Sequence, residues 1–104
     1  RGQDVLVEDR IEVIETAIDD LNPEVFGYLM ERLLAIDEVL DVYWIPVYMK
    51  KNRPGTLVQV MCRAGQSQSA VEVIFNETST LGMRLHPVRR LVLPRVQSVL
   101  ETSL

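Results

Sequence analysis

The hydrophobic positions of this chain switch between a period of two and a period of three to four. Around residues 10–18, Ile11, Val13 and Ile14 alternate with Glu12, Glu15 and Thr16, a β-branched pattern that predicts a strand, and Glu15 is the position that disturbs it. The strand is expected to end at Asp19-Asp20. Asn22 followed by Pro23 then marks a helix start, because the Asn side chain accepts from an unpaired amide and Pro has no amide to lose at the first helical position. From there Phe26, Leu29, Met30, Leu33 and Leu34 recur on one helical face, which predicts a helix over 23–36. Residues 39–49 are β-branched and aromatic, with Pro46 assigning them to an edge strand or a bulge. Lys50 to Gly55 collects turn formers, and the β-rich run Thr56 to Arg63 completes a hairpin. Ala70, Val71, Ile74 and Phe75 predict a second amphipathic helix over about 66–78, with Gly82 placed to close its exit in a left-handed conformation. A strand over 83–93 follows, irregular at Pro87, then Pro94 and one more short strand-forming stretch from Val96 to Thr102.

Strand, helix, strand, strand, helix, strand is the order of an α+β ferredoxin-like split βαβ sandwich (βαββαβ), here with an extra C-terminal strand as an option. Both helices then cover one sheet face. The other face, carrying Trp44, Tyr43 or Tyr48 on alternate positions, is a natural interface with a second copy or domain. No internal repeat, low-complexity segment or linker interrupts residues 1–104, and the length suits a single domain.

Composition narrows the classes. Hydrophobic residues are 47% and charged residues 25% of the chain, the balance of a soluble globular domain, which excludes disorder and collagen-like structure. No apolar run is long enough to span a bilayer, and Arg1-Gly2-Gln3-Asp4 lacks the features of a signal peptide, so the expected location is cytoplasmic, with no membrane partner. The net charge of −4 hides an asymmetry: residues 1–50 hold 12 Asp/Glu against 4 Lys/Arg, and residues 51–104 hold 3 against 7. Such halves can complement each other in the fold, pair across copies, or form separate cation and anion sites. Overall acidity disfavours nucleic acid. The single cysteine, Cys62, reads as a strand residue, and the single histidine, His86, has no second ligand at metal-binding spacing.

Three polar clusters carry the candidate chemistry. Asp19, Asp20, Asn22 and Glu24 lie where strand hands over to helix; they suit helix capping, yet two adjacent aspartates exceed what one cap requires and also suit a hard divalent ion carried by nucleotide phosphates. Lys50, Lys51, Asn52 and Arg53 in the hairpin turn either keep a strand edge soluble or grip a polyphosphate, without any Gly-rich phosphate loop. Asn76 to Arg84 offers the hydroxyls of Thr78, Ser79 and Thr80, which satisfy helix-terminal carbonyls or bond a ribose, base or phosphate, with Arg84 adding charge. Arg89 and Arg90 face opposite sides of their strand, so at most one serves a given site and the other is available to the acidic half.

At these same clusters the sequence resembles the LarC-type nickel insertion proteins, which complete the nickel-pincer nucleotide cofactor of lactate racemase. The resemblance rests on Thr16-Ala17-Ile18-Asp19-Asp20-Leu21-Asn22-Pro23-Glu24, Gly27-Tyr28-Leu29-Met30-Glu31, Pro46-Val47-Tyr48-Met49-Lys50-Lys51-Asn52-Arg53-Pro54-Gly55 and Glu77-Thr78-Ser79-Thr80-Leu81-Gly82-Met83-Arg84, in that order. Ser79 stands where the family commonly has Thr, and the hydroxyl is kept. The resemblance implies the C-terminal part of an insertase, a chelatase-type lyase as a whole protein, that puts nickel into a pyridinium bis-thiocarboxylate mononucleotide using CTP and Mn²⁺ or Mg²⁺. It implies a missing N-terminal domain, sequence continuing past Leu104, CTP binding, a homo-oligomer, and no activity of this part alone. Carried over by position, Asp19 and Asp20 fall to the metal of metal-CTP, and Lys50, Lys51 and Arg53 to the triphosphate. Thr78, Thr80 and Arg84 are further candidates for the ligand or an oligomer contact. A purely structural assembly module is the competing reading; nucleotide binding requires the hairpin cations to converge with the aspartates. The resemblance points to no nickel ligands or catalytic residues in this chain.

Overall fold

The computed structural model describes residues 5–19 and 22–94. Its elements are β1 (Val7–Asp19), α1 (Pro23–Leu34), β2 (Val39–Tyr48), a 3₁₀ turn (Lys50–Asn52), β3 (Pro54–Arg63), α2 (Gln68–Glu77) and β4 (Arg84–Val92). β1 begins three residues before the expected start because Val7 to Arg10 find partners in Val92 to Arg89 of β4. The stretch expected as a further strand, Val96 to Thr102, lies outside the described residues.

The start of α1 follows from its cap. Asn22 Oδ1 accepts from the Glu24 amide at 2.7 Å, and Pro23 takes the first turn, where no amide is needed. The apolar spacing then buries Leu29, Met30 and Leu33, while Phe26 meets Trp44 of β2 edge-on with centroids 5.1 Å apart. α2 buries Ala70, Val73 and Ile74. It ends where the sequence predicts, at Glu77 with Thr78 as its cap, but the residue that closes it is not Gly82. Thr78 closes the helix, its amide and its hydroxyl both donating to the Ile74 carbonyl at 3.1 and 2.8 Å. Gly82 has no left-handed role; among the described residues the glycine with positive φ is Gly65, at φ 73°, in the tight passage from β3 to α2.

The four strands form one antiparallel sheet in the order β2-β3-β1-β4. α1 carries the chain from β1 over β3 to β2, and α2 carries it from β3 over β1 to β4. Alternate strand residues Ile14, Ile18, Val42, Val58, Val60 and Cys62 merge with the buried positions of both helices into one core, so both helices cover the same face. Leu29, Leu33 and Ile74 are wholly enclosed, each stabilising the fold by roughly 1.5–3 kcal/mol.

Register corrects the expected content of the open face. Trp44 pairs with the core residue Val58 and Tyr48 with Pro54, so both lie on the helix side; Tyr43, opposite Gln59, is the aromatic residue of β2 on the open side. The irregularity between Val39 and Asp41 resets the alternation. No helix among the described residues is long and apolar enough to cross a membrane.

Candidate functional site

The strand pairing gathers the three sequence clusters at one end of the sheet. Asp19, the last residue of β1, is opposite Gly55 just past the hairpin, and Glu15 of β1 is opposite Arg84 at the start of β4. The strand-to-helix junction, the hairpin tip and the α2–β4 loop therefore share an edge of the fold.

Convergence is closest between the first two clusters. Arg53 Nη2 lies 2.9 Å from Asp19 Oδ2, an ion pair that joins β1 to the hairpin. The turn that holds Arg53 is tight: the Met49 amide bonds the Arg53 carbonyl at 2.7 Å, and Lys51 and Asn52 are both left-handed, at φ 61° and 58°. A lysine in that region costs on the order of 1 kcal/mol. Gly55 is favoured for a different reason. A Cβ there would lie 2.5 Å from Met49 Sδ and 3.1 Å from the Ile18 carbonyl, so glycine lets the hairpin lie against the end of β1. Lys50 and Lys51 are exposed beside it. Asp20 lies outside the described residues. Among the described residues no group of three or more His, Cys, Asp or Glu side chains forms a metal cage.

The third cluster divides between the two sides of the sheet. Thr16, buried on the helix face, Thr80 and the Gly82 carbonyl form a triangle with sides of 2.8, 3.0 and 3.0 Å. Two hydroxyl protons serve at most two of those three contacts at once. Thr78 caps α2 and also accepts from the Thr80 amide at 3.2 Å. Thr80 thus fastens the α2–β4 loop to β1, and Thr78 ties the same loop to α2. Arg84 lies on the opposite, open face, where its Nη2 reaches Glu15 Oε1 at 3.3 Å.

Glu15, Gln59 and His86 were not singled out by sequence reasoning as members of a site. On the open face Arg84, Glu15, Gln59 and Tyr43 form one row across all four strands. Glu15 accepts from Gln59 Nε2 at 2.5 Å, and His86 Nε2 is 3.5 Å from its other oxygen. The Gln59 hydrogen bond holds the Glu15 carboxyl below its usual range, against the opposing effect of burial, with Arg84 and His86 adding to the lowering. The signal in the sequence was Glu15 itself, the residue that broke the alternation of β1. Farther along, Arg90 grips Asp9 through two bonds of 3.0 and 2.8 Å, and Arg89 approaches Glu8 at 3.7 Å, so both halves of the charge asymmetry meet between β1 and β4. A cleft of about 180 Å³ at the far end of the sheet, lined by Arg10, Ile11, Gly65 and Val88 among others, includes none of the three clusters.

Fold and site define a small α+β domain that presents oxygen ligands and cations at one end of an antiparallel sheet. All of residues 1–104 match the nickel insertion protein family, and the chain belongs to that family. It is 47% identical over 89 residues to the pyridinium-3,5-bisthiocarboxylic acid mononucleotide nickel insertion protein of Acetivibrio thermocellus, an alignment covering 86% of this chain and 22% of that protein. Among solved structures it is similar to the C-terminal domain of a cyclometallase involved in synthesis of the NPN cofactor of lactate racemase. The TM-score is 0.75 at 33% identity, over 81% of this chain and 58% of that one. A protein of Methanopyrus kandleri shares the fold at a TM-score of 0.70 and 25% identity, over 82% of this chain and 54% of that one. The chain spans about a quarter of the length of the curated relatives it matches. It corresponds to the C-terminal domain of the LarC type.

Proposed function

We propose that this chain is the nucleotide-binding and oligomerisation domain of a cytoplasmic, CTP-dependent nickel insertase whose substrate is the pyridinium bis-thiocarboxylate mononucleotide. The connectivity βαββαβ with strand order β2-β3-β1-β4 supports the ferredoxin-like assignment. The observation that carries the functional reading is the contact of Arg53 with Asp19, which joins the cationic hairpin to the acidic end of β1.

This arrangement fits a metal brought by phosphate better than one held by protein. Asp19 supplies a hard oxygen, and with no cage of three acidic, His or Cys side chains among the described residues, most of the coordination sphere is left to triphosphate and water. Arg53 then donates to the phosphates as a fork, and Lys50 and Lys51 add point charges. A bound Mn²⁺ or Mg²⁺ would screen phosphate charge from Asp19. Nickel is cargo, and this domain's part is to bind and orient the nucleotide. Leu85 and Leu91 of β4, exposed on the helix side of that edge strand, are the apolar contacts assigned to the oligomer.

Titration calorimetry of residues 1–104 and of the full-length protein tests this, using CTP with Mn²⁺ against ATP with Mn²⁺ and CTP with chelator, with mass from light scattering. Binding that prefers CTP and needs the metal is expected. A folded oligomer that binds neither nucleotide refutes the nucleotide site and leaves a scaffold.

A further inference from the structure

The cleft at the far end of the sheet carries a charge arrangement that strand pairing alone does not favour. Counting back from the core residue Ile14, Glu12, Arg10 and Glu8 lie on the helix side of β1, and β4 sets Pro87, Arg89 and Leu91 opposite them. Arg10 and Arg89 are therefore direct cross-strand neighbours. Like charges in that position repel each other and destabilise the strand pair. On the open face the same two strands set Asp9 opposite Arg90 and bond them twice, at 3.0 and 2.8 Å. Arg10 and Arg89 share only Glu8, whose oxygens are 3.9 and 3.7 Å away, too far for hydrogen bonds. Both side chains are largely exposed, at 70% and 72%, and among the described residues neither guanidinium donates a hydrogen bond.

Beside this pair the surface is hollow. The cleft of about 180 Å³ has both arginines in its lining, and Ile11, Ala64, Pro87 and Val88 give it apolar walls. Gly65, also at its edge, adds no side chain to fill it. An apolar cavity of ~150 Å³ holds a benzene ring, so one ring-sized group fits. Glu12, in the lining as well, stands one row inward from the arginines, about 7 Å along the strand, where it repels a second negative charge. The lining therefore suits one oxyanion, gripped by two guanidinium forks, on an uncharged body of ring size.

We propose that this cleft binds a small organic anion, a ring-sized apolar body with a single phosphate or carboxylate group that lies between Arg10 and Arg89. Leu85 and Leu91, assigned above to the oligomer, flank these rows, so the cleft borders that contact. No residue of the hairpin end takes part. Failure of this site and failure of the nucleotide reading are separate outcomes.

Ligand-observed magnetic resonance titrations of the full-length protein with phenyl phosphate, benzoate, benzamide and methyl phosphate test this, with a thermal melt for each variant. Phenyl phosphate or benzoate should bind about tenfold more tightly than benzamide, which lacks the charge, and more tightly than methyl phosphate, which lacks the ring. The tighter of the two identifies the anion. Arg10→Gln and Arg89→Gln, both at exposed positions, should each weaken that ligand by about tenfold, and Glu12→Gln should strengthen it by about threefold. Lys51→Ala, at the opposite end of the sheet, should bind it as wild type does. The proposal is overturned if benzamide binds as well as both anions, if neither anion saturates, or if both arginine variants keep wild-type affinity. A loss in Lys51→Ala equal to that in Arg89→Gln moves the anion to the hairpin and overturns it too. Should an arginine variant fail to fold, the comparison with benzamide, made on wild type, still decides.

Discussion

Replacing the two members of the Asp19–Arg53 pair separates their role in folding from their role in binding. The pair is short, 2.9 Å, but its side chains are 39% and 61% exposed, a geometry in which an ion pair contributes ~0–1 kcal/mol to stability. Asp19→Asn and Arg53→Ala should therefore lower the melting temperature by no more than about 4–8 °C, the equivalent of ~1 kcal/mol in a domain of this size. Binding should respond far more. A charge-assisted hydrogen bond from Arg53 to phosphate is worth about 1.5–3 kcal/mol, so Arg53→Ala should weaken CTP by about ten- to a hundredfold. Asp19→Asn has an opposite sign in the two metal states. With Mn²⁺ it removes a metal ligand and weakens CTP; with chelator it removes a negative charge from beside the phosphates and strengthens what binding remains. Calorimetry of each variant with and without metal reads both. An Asp19→Asn loss that is equal with and without Mn²⁺ would refute the metal role, and an Arg53→Ala variant with wild-type affinity would refute the phosphate role.

Three further outcomes follow from the core and caps. Leu33→Ala should cost ~2–5 kcal/mol by leaving a cavity under α1, seen as a lowered denaturant midpoint with unchanged slope. Asn22→Ala removes the acceptor for the Glu24 amide and should cost about 1 kcal/mol, a drop of roughly 4–8 °C on a thermal scan. Burial, followed by the nearby charges of Glu12 and Glu38, pushes the Cys62 thiol up to about 11 from 9.0. The native thiol keeps its proton where the unfolded one has lost it, so stability is intact below about pH 9 and falls as pH rises toward about 11, by ~2–3 kcal/mol. Urea midpoints across that window should fall less steeply for Cys62→Ala than for wild type; parallel curves would contradict the burial argument.

Elements were legible where local chemistry decided them. Asn22-Pro23 and the Phe26-to-Leu34 spacing placed α1, and the β-branched runs placed the strands, because cap geometry and side-chain period act over a few residues. Features set by register were hidden. The irregularity between Val39 and Asp41 decides which aromatic residues of β2 face the helices, and nothing local to Trp44 announces it. The end of α2 near residue 78 was legible, but the closing role expected of Gly82 was not met, because the Thr78 hydroxyl already satisfies the last carbonyl four residues earlier. The hairpin cations and the Asp19 end of β1 were legible as residues, but their contact depends on Asp19 pairing with Gly55. The Glu15 row escaped because its members come from four strands distant in sequence.

The location of the nucleotide is tested most directly by nuclear magnetic resonance of the labelled chain with CTP and substoichiometric Mn²⁺, whose unpaired electrons broaden nearby amides. Asp19, Lys51 and Gly55 should broaden first, while Gly65 stays sharp, because Asp19 lies about 26 Å of strand from Ile11 beside the far cleft. Broadening centred on Ile11 and Gly65, with the hairpin sharp, would contradict a nucleotide site at the Asp19–Arg53 end.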